Sequence, residues 1–228
     1  MENKTGFLII NKPAGPTSHD MIDKLRRLTG IKKIGHAGTL DPFASGVLIV
    51  AVGREATREI GRFVKLDKEY SAVLRLGATT DTYDLTGNIS TKSDSEYTKP
   101  DSEAIKPVLQ KFIGKQTQVP PMYSAKKIKG KKLYELARKG VEVERAPAAI
   151  NISDLELLSY NWPLLAVRVK CSSGTYVRAL AHDIGEALGC GAYLEELTRT
   201  AVGDFRIANA KTPEELEKTG WEKCLLRA

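Results

Sequence analysis

The residues best placed to do chemistry sit in one loop, Gly35-His36-Ala37-Gly38-Thr39-Leu40-Asp41-Pro42-Phe43-Ala44-Ser45-Gly46. It sets one carboxylate, Asp41, among glycines directly before the apolar run Val47–Val52, so a site open at the backbone hangs on a buried strand. Pro42 holds the backbone of Asp41 extended. A carboxylate held this way can act on a bound molecule, or it can simply bond to the amides of its own turn. The G-x-x-x-x-G-K-[ST] spacing of a phosphate-cradling loop is absent.

A second feature is charge. The chain has 228 residues, a net charge of +7 and a pI near 9.2. Between Pro121 and Gly140, Lys126, Lys127, Lys129, Lys131, Lys132, Arg138 and Lys139 face a single acid, Glu135, which puts +6 of that charge in one segment. Tyr123 and Tyr134 flank the run, and aromatics among lysines suit stacking on unpaired bases. The segment is either a solvated lysine-rich loop or a surface that contacts phosphates. Lys24, Arg26, Arg27, Lys32 and Lys33 form a second basic patch.

Other chemistries are poorly served. His19, His36 and His182 are scattered, and Cys171, Cys190 and Cys224 form no C-x-x-C pair, so no metal site and no disulfide framework is expected. Asp81 and Asp84 form a two-carboxylate loop that more readily bonds its own backbone than a metal. The longest apolar run is far short of the ~20 residues of a membrane span, and the N-terminus lacks a signal-peptide pattern. A cytoplasmic protein is expected.

The elements that position these residues follow from pattern. Ser18 is expected to cap a helix with Met21, Ile22, Leu25 and Leu28 on its apolar face and Gly30 as its stop. Strands are expected at Phe7–Ile10, Val47–Val52, Tyr70–Leu76, Ile150–Leu158 and Leu165–Cys171. Helices are expected over 54–65, 105–112, 133–137 and 176–188, with all of 35–46 as loop. Thr212-Pro-Glu-Glu215 is a capping box with proline at the first helical position. The stretch 91–100 is a polar excursion. Strands and helices that do not alternate point to an α+β fold.

The loop over 35–46 resembles the signature of the bacterial tRNA pseudouridine-55 synthase family, TruB. Asn11-Lys-Pro-Ala-Gly-Pro-Thr-Ser18, Lys68-Glu-Tyr70 and Arg75-Leu-Gly-Ala-Thr-Thr-Asp-Thr-Tyr-Asp84 are similar to further family blocks. So are Gln118-Val-Pro-Pro-Met-Tyr-Ser-Ala-Lys126, Leu133-Tyr-Glu-Leu-Ala-Arg-Lys-Gly140, Cys171-Ser-Ser-Gly-Thr-Tyr-Val-Arg178 and Gly191-Ala-Tyr-Leu-Glu-Glu-Leu197. The motifs stand in family order from about residue 6 to residue 207.

The resemblance implies an isomerase that turns a T-loop uridine of tRNA into pseudouridine without any cofactor. It implies a long, mixed, mostly antiparallel sheet with helices outside and an RNA-binding cleft. It assigns Asp41 as nucleophile, Arg178 as the cation paired with it, and Tyr70 as the tyrosine that packs on the target base and can accept a proton. Tyr176 and Leu197 would enclose the flipped base, and His36 would fill the space it leaves. Lys12, Lys126, Lys127 and Lys129 are expected at phosphates. Residues 1–228 would form one catalytic domain with its core over 6–207, a last helix over 208–228 and no C-terminal PUA domain. The protein would be a monomer needing no protein partner. Ala37, Phe43 and Thr198 depart from the common threonine, leucine and arginine. A catalytic subunit guided by another RNA, and an RNA-binding module without catalysis, are the alternatives.

Overall fold

The computed structural model describes residues 4–90, 99–124, 126–128, 130–137 and 139–227. The first elements in chain order are β1 (Gly6–Lys12), α1 (Ser18–Thr29), β2 (Ile34–Ala37), β3 (Ser45–Val52), α2 (Arg54–Glu59), α3 (Gly61–Val64) and β4 (Lys68–Leu76). Next come β5 (Thr79–Thr80), β6 (Ile89–Ser90), α4 (Ser102–Gln110), β7 (Gly114–Gln118), β8 (Lys127–Ile128), β9 (Lys131–Lys132) and α5 (Leu133–Ala137). The chain closes with β10 (Ala148–Asn161), β11 (Leu164–Cys171), α6 (Val177–Ala187), β12 (Ala192–Val202), β13 (Phe205–Arg206) and α7 (Pro213–Thr219). It forms two compact units, Met1–Tyr70 with Leu197–Ala228, and Ser71–Glu196. It passes from the first to the second within β4 and returns within β12.

In the first unit, β3 pairs antiparallel with β1 from Gly6↔Val52 to Lys12↔Gly46, and antiparallel with β2 from Ile34↔Val52 to Ala37↔Ile49. The pairing of β12 with β3 is parallel, at Thr198↔Ser45 and Arg199↔Gly46. Side chains alternate between the two faces of a strand, and here both faces are covered. Leu8, Ile10, Leu48, Val50 and Val52 pack with Met21, Ile22 and Leu25 of α1 and with Leu216 and Trp221. Phe7, Ile9, Val47, Ile49 and Ala51 pack with Ala56, Phe63 and Val202. That two-sided burial is why Val47–Val52 reads as a continuous apolar run. Each fully buried aliphatic side chain contributes roughly 1.5–3 kcal/mol.

Two details differ from the expectations for this unit. Thr17, not Ser18, caps α1, in a capping box with Asp20. Ser18 is instead the first helical residue, which frees its hydroxyl for the neighbouring loop. His36 lies on β2 rather than in a loop, because 34–37 finds a pairing partner in β3.

In the second unit, β10 pairs antiparallel with β11 and with β7, and β4 neighbours β11. The strands are longer than the apolar pattern suggested, since β10 extends to Asn161 past exposed Leu158. Ile184 and Leu180 of α6, Ile105 and Leu109 of α4, and Leu155, Val167 and Val169 are buried here. The helix over 54–65 is broken into α2 and α3 at Ile60, whereas α7 starts with the expected Thr212–Glu215 box. The expected polar excursion over 91–100 falls mostly outside the described residues. The fold is α+β, with helices flanking a mixed, mostly antiparallel sheet.

Candidate active site

The Asp41 loop joins β2 to β3 and is tied down at almost every peptide. Gly38, at φ 74°, gives its carbonyl to Arg199 Nη2 at 2.9 Å, and Val47 gives its carbonyl to Arg199 Nε at 2.7 Å. The Ser18 hydroxyl accepts from Leu40 N at 2.9 Å and donates to Leu40 O at 3.1 Å. The Pro42 carbonyl accepts from Gly15 N at 2.8 Å and from Lys12 Nζ at 3.2 Å. Ala44 N donates to Asp41 O at 3.1 Å, which closes a tight turn around the carboxylate's own residue. Asp41 itself is half-buried, between clamped neighbours on either side.

Lys12 requires a correction. Its side chain has no exposed surface, and its ammonium donates to the carbonyls of Pro13 at 2.8 Å, Pro16 at 2.7 Å and Pro42 at 3.2 Å. An ammonium has three protons, and these three carbonyls take them, so Lys12 is a fastener of the loop rather than a phosphate contact. Burial drives its pKa down to about 8, against the opposing pull of the Asp41 charge.

His36 is half-buried on β2, and its Nδ1 is enclosed without a hydrogen-bond partner among the described residues. Burial first, then the charges of Arg199 and His19, pushes its pKa below the ordinary value, which favours the neutral ring. Tyr70 on β4 and Leu197 on β12 are both buried. The Thr198 hydroxyl bonds with that of Ser45 at 2.8 Å, so the residue that departs from the family arginine serves the pairing of β12 with β3.

The second unit holds Arg178 and Tyr176. Arg178, the second residue of α6, is buried, with Nη1 3.2 Å from Asp84 Oδ2 and Nη2 donating to the Tyr123 carbonyl at 2.8 Å. Asp84 Oδ1 accepts from the Thr82 hydroxyl at 2.8 Å and from Thr86 N at 2.9 Å, with the Thr86 hydroxyl also on it. Asp81 accepts from Asn88 N at 2.9 Å and Asn88 Nδ2 at 3.2 Å. Both carboxylates are thus occupied by their own loop or by Arg178. No group of three His, Cys, Asp or Glu among the described residues could hold a metal ion.

Tyr176 is the residue before α6, half-buried, and its peptide is gripped from both sides by Gln118. Tyr176 N donates to Gln118 Oε1 at 2.8 Å, and Gln118 Nε2 donates to Tyr176 O at 3.1 Å. Lys126 is half-buried, and its carbonyl accepts from Leu133 N at 2.9 Å. Lys127 supplies backbone to β8, while its side chain and Lys129 lie outside the described residues.

Sequence reasoning named Asp84 only as half of a two-carboxylate loop and missed its pairing with Arg178, and it missed Gln118 and Arg199 as supports. Asp84 carried a signal, Thr82-Thr86 bracketing it at alternate positions, and so did Gln118, which sits in a quoted motif. Arg199 carried none, since an arginine on a strand reads as exposed until its partners are known.

The model for the TruB family pseudouridylate synthase N-terminal domain matches residues 26–177, and that for the tRNA pseudouridylate synthase B C-terminal domain matches residues 178–228. The tRNA pseudouridine synthase B of Protochlamydia amoebophila is 51% identical over 97% of this chain and 84% of its own length. That of Chlamydia muridarum is 49% identical over 95% of this chain and 88% of its own. Among solved structures, a Cbf5–Nop10–Gar1 complex matches with a TM-score of 0.74 and 30% identity over 93% of this chain. An H/ACA RNP bound to a substrate RNA containing 2'-deoxyuridine matches with a TM-score of 0.70 and 28% identity over 94%. The chain spans about half the length of those two structures' chains, 54% and 53%. A family model that matches two-thirds of the chain, and relatives half identical over nearly all of it, place this protein in the TruB family of pseudouridylate synthases.

Proposed function

We infer that this protein converts uridine to pseudouridine at position 55, in the T-loop of tRNA. The reaction breaks the N1–C1′ glycosidic bond, turns the uracil, and joins C5 to C1′. Product and substrate are isomers, so no electrons or groups enter or leave and no cofactor is called for. A stacked uridine is out of reach, so the base is flipped out at a cost of a few kcal/mol.

Each residue then has a task. Asp41 is the nucleophile, since a carboxylate can form an ester to a sugar carbon that later reverses. Arg178 is the cation that keeps Asp41 ionised and oriented. Tyr70 packs on the uracil and accepts a proton, Tyr176 and Leu197 exclude water around the base, and His36 occupies the vacated stack. Lys126, Lys127 and Lys129 face phosphates. The catalytic machinery is read as one domain, acting as a monomer in the cytoplasm. No helix among the described residues is long and apolar enough to cross a membrane.

The observation that carries this reading is the clamped loop: Leu40 and Pro42 are both pinned while the carboxylate between them is only half-buried. A residue held on both sides is presented rather than merely folded in. The test is to incubate the purified protein with an unmodified tRNA transcript and map pseudouridine by carbodiimide treatment and primer extension. Product at the T-loop with no other RNA or protein present is expected. The likeness to Cbf5 and H/ACA structures favours a guided enzyme as the second reading, under which product would require an added guide RNA. Asp41→Asn is expected to bind tRNA and form no product; turnover by that variant removes Asp41 from its role.

A further inference from the structure

Arg199 is among the largest fully buried side chains of the protein, with 2% of its surface exposed. A guanidinium keeps its charge at any ordinary pH, and burying a charge is costly unless its protons are matched. Here the matching groups are two backbone carbonyls with a shared relation to Asp41. Gly38 O lies at the exit of β2, three residues before the carboxylate, and Val47 O lies just inside β3, six residues after it. The backbone of Arg199 is tied to the same loop, because it pairs with Gly46. A Cβ on Gly46 would come within 2.2 Å of Arg199 O.

We propose that Arg199 is a positioning residue for the reaction, its guanidinium holding together the two limbs of the loop that presents Asp41. It acts through the main chain and does not touch the reacting atoms. The planar fork suits this task, since Nε and Nη2 point to separate carbonyls at once. A lysine ammonium is a point charge on a flexible stem and cannot fix the same span. The inference rests on Asp41 being the nucleophile.

Arg199→Lys and Arg199→Ala in the full chain test it, read by single-turnover product formation at saturating tRNA, tRNA affinity by filter binding, and Tm. Displacing a reacting group by about 1 Å can cost on the order of 10²-fold in rate, and a loss of that order is expected for both, with affinity kept. Added ethylguanidinium should restore part of the rate to Arg199→Ala, and urea at the same concentration should not. A merely structural role would lower Tm without a specific rescue. A wild-type rate in folded Arg199→Lys, or equal effects of ethylguanidinium and urea, overturns the proposal. If Arg199→Ala does not fold, Arg199→Lys decides alone by its rate against its affinity. An inactive Asp41→Asn beside a fully active Arg199→Lys defeats only this proposal, whereas an active Asp41→Asn defeats the reading beneath it.

Discussion

Asp84 and Arg178 form a buried ion pair 94 residues apart in sequence, Oδ2 to Nη1 at 3.2 Å. Three further donors from Thr82 and Thr86 converge on the other carboxylate oxygen. The loop therefore fixes Asp84 first, and Asp84 fixes one edge of the guanidinium. The Tyr123 carbonyl fixes another.

Removing one member of such a pair leaves a charge buried without compensation, which costs about 3–5 kcal/mol. Asp84→Ala should lower stability by about that amount in urea unfolding. Asp84→Asn, which keeps an acceptor for Thr82 and Thr86, should lose less stability yet still lose turnover. A double-mutant cycle with Arg178→Gln should show coupling beyond additivity. Additive effects would mean that the two residues do not work as a pair.

The glycines separate two kinds of constraint. Gly46 combines φ 105° with a Cβ site 2.2 Å from Arg199 O, so Gly46→Ala meets both backbone strain and a collision with backbone. Gly30, the cap of α1 at φ 72°, has nothing within 4 Å of its Cβ site. Gly30→Ala should cost about 1–2 kcal/mol from the left-handed conformation alone. Gly46→Ala should cost clearly more, or abolish soluble expression. Thermal unfolding of the two variants side by side is the check.

Lys12 and Lys126 should behave differently toward salt. A lysine that neutralises a phosphate contributes close to 1 to the slope of log K against log salt. Lys126→Ala should reduce that slope for tRNA binding. Lys12→Met should leave it unchanged while lowering Tm, because three carbonyls lose their donor. A reduced slope in folded Lys12→Met would return Lys12 to the RNA surface.

His36 should titrate below the ordinary imidazole value of 6.5, with burial as the main cause and Arg199 next. In the unfolded chain the ring takes up its proton near 6.5, before the folded protein does. Stability contributed by the neutral ring is therefore present above that pH and lost as pH falls from 6.5 through the lower folded value. Nuclear magnetic resonance titration of the ring protons measures the shift, and His36→Gln should flatten the stability profile in that window. A pKa at or above 6.5 contradicts it.

The sequence was most legible where periodicity and motif coincide. The buried run Val47–Val52, the helix after Thr17 and the Thr212–Glu215 box all declare themselves locally. The Asp41 loop stood out by its residue types and took its role from resemblance, as a string of residues without geometry. What stayed hidden was long-range: Ser18 reaches Leu40, Gln118 reaches the peptide of Tyr176, and Arg199 reaches Gly38 across 161 residues. Lys12 misled for a different reason: two of its three carbonyl acceptors lie within four residues, but a lysine in a turn looks solvated until the turn has folded around it. Side chains that bond to distant main chain leave no periodic trace.

That preference for main-chain acceptors has a consequence for how this loop can change over time. Lys12, Ser18 and Arg199 grip the peptide groups of Gly38, Leu40, Pro42 and Val47, and they are indifferent to which side chains those peptides carry. Exposed Thr39 and half-buried Phe43 can therefore drift without loosening the grip. Substitution of a gripping residue has no such latitude, so libraries that aim to retune substrate choice should randomise 39 and 43 and leave 12, 18 and 199 alone.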